Sequence, residues 1–269
     1  MADMVTDPKR TPLATMLNKV PEITLSFWVI KIMATTIGET GADYLAVRVG
    51  LGLAGTTAVM TGVLLVILAV QLRVRRYVPV IYWLTVVLLS VVGTLITDNL
   101  TDRLDVSLFV STGTFFTLLG ATFALWFSRE KTLSIHSIVT RPRELFYWAA
   151  ILFTFALGTA AGDLVAEKLQ WGYALSAVIF GGMIAAAAAA YYLFKADVVL
   201  IFWIAYVLTR PFGASIGDLL SQPSSSGGLG FGAERVSLVF VAVIGGVVLM
   251  LSARQARSRA RRGRDVEDS

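Results

Sequence analysis

Phe27-Trp28-Val29-Ile30-Lys31-Ile32-Met33-Ala34-Thr35-Thr36-Ile37-Gly38-Glu39-Thr40-Gly41-Ala42-Asp43 sets charged residues into an apolar stretch at fixed intervals. Lys31, Thr35, Glu39 and Asp43 are each four residues apart. On a helix they share one face, a polar stripe that Thr36 and Thr40 widen. Such a stripe is costly against lipid, so it predicts a helix turned toward the interior of a bundle. Three anchors of this stretch, Trp28, Gly38 and Asp43, return at the same spacing. They recur as Trp83, Gly93 and Asp98, as Trp148, Gly158 and Asp163, and as Trp203, Gly213 and Asp218. The Trp residues are 55, 65 and 55 positions apart, as if a two-copy unit had been duplicated.

Each copy lies in one of eight apolar segments, roughly 23–46, 54–72, 78–98, 106–128, 145–165, 172–194, 198–220 and 235–252. Their lengths suit the roughly 30 Å of hydrocarbon in a bilayer. Backbone groups in lipid must be satisfied within the segment, so these are read as helices, and the alternation of a membrane barrel is absent. The fold class is therefore all-α: a polytopic membrane protein of eight transmembrane helices built from four parallel two-helix repeats. The repeats fall at about 21–75, 76–130, 141–195 and 196–252, within a membrane domain over 21–252. An N-terminal segment, 1–20, precedes it and a basic tail, 253–269, follows; the tail is expected to be disordered or to lie on anionic lipid.

Composition agrees. The chain is 56% hydrophobic and only 15% charged, with mean hydropathy +0.74. A soluble domain carries about a quarter charged residues. There is no Cys, which excludes disulfides and thiolate metal sites, and the one His, His136, sits in a polar loop. The net charge of +5 is read as basic cytoplasmic loops and not as a nucleic-acid footprint. Of the Lys and Arg residues, only Arg48, Arg103, Lys168 and Arg235 lie on one side of the spans, and Lys31 and Arg210 lie inside them. The rest lie on the other side, which the positive-inside rule makes cytoplasmic, with both termini. No cleavable signal is visible in 1–20, so the first apolar segment is expected to be a retained span.

Trp to Asp is fifteen residues, about 22 Å of helix. The Trp residues should lie toward the cytoplasm as an interfacial belt, and the Asp residues in the outer third. The Gly marks either a close helix approach or a break, and Pro211 should kink or break the fourth motif helix. The later copies are degenerate. Glu39 becomes Thr94, Thr159 and Ala214; Lys31 becomes Val86, Ile151 and Tyr206.

With Pro21-Glu22-Ile23-Thr24 ahead of it, the first copy resembles a bacterial integral-membrane family of tandem repeats of unknown function. Members usually have four copies, each with two transmembrane segments and a Trp. The resemblance covers roughly 20–252 and implies the architecture and a bacterial inner-membrane location, but no activity.

The interior charges point to function. Glu39, Asp43, Asp98, Asp163 and Asp218 are acidic; Lys31 and Arg210 are basic. Converging carboxylates repel in low dielectric and must be protonated, paired with Lys31 or Arg210, or hold a cation. Carboxylate and hydroxyl oxygens suit a divalent cation or Na⁺. The first expectation is a transporter or exporter of a small cation, divalent metal or Na⁺/H⁺-coupled, in which these five carboxylates bind the ion and Lys31, Thr35, Thr36, Thr40 and Arg210 complete the site. An alternative is a proton-coupled carrier of a small anionic or zwitterionic metabolite. A membrane enzyme or sensor is a third, but no zinc-protease, serine-elbow or phosphate-loop motif is present, so no enzyme is expected. The partners expected are the lipid bilayer and the transported ion or small molecule, with a homo-oligomer left open.

Overall fold

The computed structural model describes residues 19–267, with side chains to residue 257. It is all-α. Eight long helices follow one another: α1 Leu25–Asp43, α2 Gly52–Arg73, α3 Pro79–Asp98, α4 Leu108–Glu130, α5 Arg141–Asp163, α6 Gly172–Phe194, α7 Val198–Ser221 and α8 Ala233–Glu267. Seven are long and apolar enough to cross a membrane; the exception is α1, which carries Lys31, Glu39 and Asp43 in 19 residues. The N-terminal segment lies outside the described residues apart from Lys19 and Val20. The backbone expected to become a tail at 253 instead continues α8 to Glu267.

Odd-numbered helices form an inner ring and even-numbered helices surround it. Neighbours in the ring are α1 with α3, α3 with α5, α5 with α7, and α7 with α1. Each outer helix packs on the inner helix of the following repeat, α2 on α3, α4 on α5 and α6 on α7. The last, α8, returns to α1 and closes the circle. In α3, α5 and α7 the apolar windows are 72%, 61% and 56% buried; in α2, α4, α6 and α8 only 11% to 22%.

The repeat motif explains the ring. A Cβ on Gly38 would overlap the side chain of Ser90, one on Gly93 that of Phe155, one on Gly158 that of Arg210, and one on Gly213 that of Thr35. In every case the partner stands seven residues beyond the Trp of the next repeat. The four glycines thus let each inner helix seat against its successor at one level, around a pseudo-four-fold axis. They mark close approach and not breaks: each lies within a continuous helix. Pro211 likewise does not end α7, which runs unbroken from Val198 to Ser221.

The Trp residues do not form a lipid-facing belt. Trp83, Trp148 and Trp203 are buried, and all four join a pinwheel. The aromatic residue before each Trp meets the Trp of the next repeat, Phe27 on Trp83 at 5.5 Å, Tyr82 on Trp148 at 5.5 Å, Tyr147 on Trp203 at 6.2 Å and Phe202 on Trp28 at 5.7 Å. Aromatic pairs at these separations add about 0.5–1.5 kcal/mol each beyond area burial. Ring closure between inner helices outweighs the interfacial preference of the indole.

Candidate functional site

After each of the first three Asp residues the helix widens into one turn with i to i+5 hydrogen bonds. These are Val49 N–H to Tyr44 O at 3.1 Å, Leu104 N–H to Asn99 O at 3.1 Å and Leu169 N–H to Leu164 O at 2.9 Å. Such turns are rare and concentrate at functional sites. Here they end the inner helices around an open vestibule of about 420 Å³ on the axis.

All four motif Asp residues converge on this one cavity. Seven carboxylates line it: Glu39, Asp43, Asp98, Asp102, Asp163, Glu167 and Asp218, with Gln222. Asp102 and Glu167 are exposed at its mouth, Asp43, Asp98 and Asp163 are half-buried on its wall, and Glu39 and Asp218 are buried at its floor. Gln222 Nε2 donates to Asp43 at 3.4 Å. One carboxylate oxygen each from Glu39, Asp163 and Asp218 lies within 4.8 Å of the others. At an effective dielectric near 20, unit charges that far apart repel by about 3 kcal/mol per pair. Three ionised groups therefore require a compensating cation or protons. Carboxylate oxygens from three helices at this separation fit a hard cation such as Ca²⁺, Mn²⁺ or Na⁺.

Arg210 closes the floor. Fully buried, its Nη2 donates to Glu39 Oε2 at 2.8 Å, to Thr159 Oγ1 at 2.7 Å and to Thr94 Oγ1. These three acceptors are the equivalent residue, eleven beyond the Trp, of the first three repeats. The fourth repeat has Ala214 there and supplies the cation from one turn earlier. The sequence offers Lys31 and Arg210 as counterions to the carboxylates; the geometry assigns Arg210.

Lys31 lies apart. It is fully buried below Arg210, its ammonium 4.4 Å from the ring centre of Phe155 and 4.2 Å from that of Tyr206, and it donates to Thr209 Oγ1 at 3.3 Å. Thr35, Thr36 and Thr40 do not line the vestibule either. Thr35 Oγ1 donates to Thr209 O at 3.1 Å and Thr36 Oγ1 to Gly213 O at 3.0 Å, tying α1 to α7. Thr40 Oγ1 shares a 2.7 Å hydrogen bond with Ser237 of α8. Hydroxyls on an α-helix satisfy neighbouring carbonyls readily, so their place in the stripe does not make them ligands. Asp102 and Glu167 are not among the candidate site residues of the sequence, although each follows a motif Asp by four residues and so extends the same face.

A family model described as Repeat of Unknown Function (DUF347) matches the chain four times, at residues 26–77, 81–132, 146–197 and 201–257. No curated protein and no solved structure is significantly similar to the chain.

Proposed function

This chain belongs to the DUF347 repeat family, and we propose that it is an integral membrane transporter of a small cation that crosses the bilayer eight times. The seven apolar helices support insertion, as do the large exposed side chains of the outer ring, among them Leu65, Val66, Phe116, Val178, Leu193, Val239 and Leu249. α1 is the eighth crossing: its polar stripe faces the axis and its neighbours, so its charges avoid lipid. The bias of Lys and Arg supports cytoplasmic termini in a bacterial plasma membrane, and the vestibule then opens outside.

One observation carries the proposal: oxygens of Glu39, Asp163 and Asp218, from α1, α5 and α7, lie within 4.8 Å of one another under an acidic funnel. The outer carboxylates concentrate cations at the mouth and the three deep ones bind. When no cation is bound, Arg210 holds the charge of Glu39. An arriving cation competes with the guanidinium for that carboxylate. A metabolite carrier has less support, since Lys31 does not line the vestibule and its ammonium faces the rings of Phe155 and Tyr206.

The test is flux into proteoliposomes of the full chain, with Mn²⁺, Ca²⁺ and Na⁺ offered separately. Glu39→Gln and Asp218→Asn should abolish uptake of the transported ion while the protein still inserts and stays monodisperse. Unchanged flux in both variants refutes the proposal.

A further inference from the structure

Below Arg210 the vestibule does not continue, and the side chains pack closely along the axis. Two buried cationic side chains, Arg210 and then Lys31, stand in line on it. Their positive charges oppose the passage of a cation in this conformation, so crossing requires a second arrangement of the ring. The aromatic pinwheel seals the level beneath. Among its Trp, Phe and aliphatic side chains this lower half also holds groups that exchange protons. Tyr206 and Tyr147 both pack on the ring of Trp203, at 5.6 Å and 6.2 Å, and Tyr147 shares a 2.5 Å hydrogen bond with Tyr82. One turn from Tyr147 on α5, the buried Glu144 meets Lys19 at 2.5 Å and Gln71 at 3.3 Å, and Lys19 is partly exposed. Three buried hydroxyls, on Ser90, Thr154 and Tyr206, have no protein partner and are free to bond to water.

Lys31 sits at the top of this series. No carboxylate pairs with it among the described residues. The groups facing it are Arg210, Thr209 and the ring of Tyr206 from α7, and the ring of Phe155 from α5. Tyr82 of α3 and Tyr147 of α5 are the titratable groups of the pinwheel beneath. Of the charged residues of α8 with described side chains, Glu234 and Arg235 lie in its first turn, and Arg254 and Arg257 follow its apolar stretch.

We propose that transport is coupled to protons and that Lys31 is the residue that carries the proton, releasing it through the tyrosine cluster toward Glu144 and Lys19 when a cation binds above. This rests on the cation reading of the vestibule. The coupling is electrostatic. A cation bound to Glu39 deprives Arg210 of its counterion, and the freed guanidinium then faces an ammonium in a medium of low dielectric. One N–H bond of the Lys31 ammonium breaks. Its proton passes along the hydroxyls to solvent on the Lys19 side, and the neutral amine remains. When the cation leaves, Glu39 recaptures Arg210 and Lys31 takes a proton back. The exchange is one proton per bound cation, with no net redox change.

The experiment titrates Mn²⁺ into the purified full-length protein in two buffers of different ionisation enthalpy, which counts protons released per metal bound. Wild type should release about one proton more than Lys31→Met and Lys31→Arg, because a guanidinium does not deprotonate. Both variants should still bind Mn²⁺. Tyr147→Phe should leave the count unchanged but slow release about ten-fold in stopped-flow with a pH dye. Equal proton counts in wild type and the Lys31 variants overturn the assignment of Lys31, and an unchanged rate in Tyr147→Phe overturns the route. Wild type that binds no Mn²⁺, Ca²⁺ or Na⁺ overturns the vestibule reading itself. If Lys31→Met fails to fold, Lys31→Arg, which keeps the charge, decides.

Discussion

Glu39 and Arg210 make the bundle's innermost ion pair, and its energetics are open to a double-mutant cycle. Both groups are buried and the N–O separation is 2.8 Å. At an effective dielectric near 20 the attraction of two unit charges so placed is about 6 kcal/mol, much of it offset by desolvation of both ions. Removing one partner leaves the other charge stranded. Glu39→Gln and Arg210→Met should therefore each destabilise the protein by about 3–5 kcal/mol. The hydroxyls that also bind Arg210 add little to the second figure. Thr94 and Thr159 keep bonds to the carbonyls of Ser90 and Phe155, each at 3.2 Å, when the guanidinium is gone. Glu39→Gln with Arg210→Met strands no charge and should recover all but about 1–2 kcal/mol, giving a coupling energy of about 3 kcal/mol or more. The assay is reversible unfolding in mixed micelles, by denaturing detergent titration followed through Trp fluorescence. Losses that simply add in the double variant would refute the pairing, and with it the claim that Arg210 is the internal counterion of Glu39.

Other consequences follow from the same ring. Gly38→Ala and Gly213→Ala should each cost about 1–3 kcal/mol, because the new methyl meets Ser90 or Thr35 at overlapping distance. Gly113→Ala and Gly245→Ala, on outer helices with nothing within 4 Å, should be neutral or gain up to about 1 kcal/mol from helix propensity; thermal melts in detergent compare the two pairs. Asp163→Asn should weaken Mn²⁺ binding by calorimetry about ten-fold or more, whereas Glu22→Gln, remote from the vestibule, should not change it. The chain has no Cys, so single cysteines report topology directly: Asp102→Cys should react with an impermeant thiol reagent from outside intact cells, and Arg75→Cys only after lysis.

The inner helices were legible in the sequence because one spacing, Trp to Gly to Asp, recurs four times and each of its residues has a geometric duty. Gly sets the approach of neighbours, Asp sets the rim of the cavity, and Trp locks the opposite end. The sense of the Trp was not legible. An indole at a helix end satisfies an interface or a packed ring equally well, and only the aromatic residue beside it, Phe27, Tyr82, Tyr147 or Phe202, distinguishes the two. The stripe on α1 was legible as a face but not as a site. A face of an inner helix is shared between the axis and the two neighbours in the ring, so Glu39 and Asp43 reach the cavity while Thr35 and Thr36 are consumed by α7. The partner of Glu39 was not legible either. Lys31 is two turns away on its own helix, whereas Arg210 is 171 residues distant and arrives only because the fourth repeat closes against the first.

That closure gives a reason for four repeats to be held in one chain. Identical subunits around the same axis would place the same residue at each level four times. Four arginines at the level of Arg210, or four glutamates at that of Glu39, would put like charges within a few ångströms of one another in a dry interior, at a cost of several kcal/mol per pair. Four threonines there would leave no charge to respond to a cation. A fused chain escapes this choice. Glu39, Thr94, Thr159 and Ala214 occupy one level, and Thr35, Ser90, Phe155 and Arg210 another, so the axis holds one glutamate and one arginine that meet across the ring. The motif Asp residues stay four-fold around an open cavity, where water screens Asp43, Asp98 and Asp163 on the wall and Asp218, buried at the floor, is the one that needs a cation or a proton. Symmetry is therefore kept where solvent reaches and broken where it does not, and the broken levels are the ones able to register the arrival of a charge.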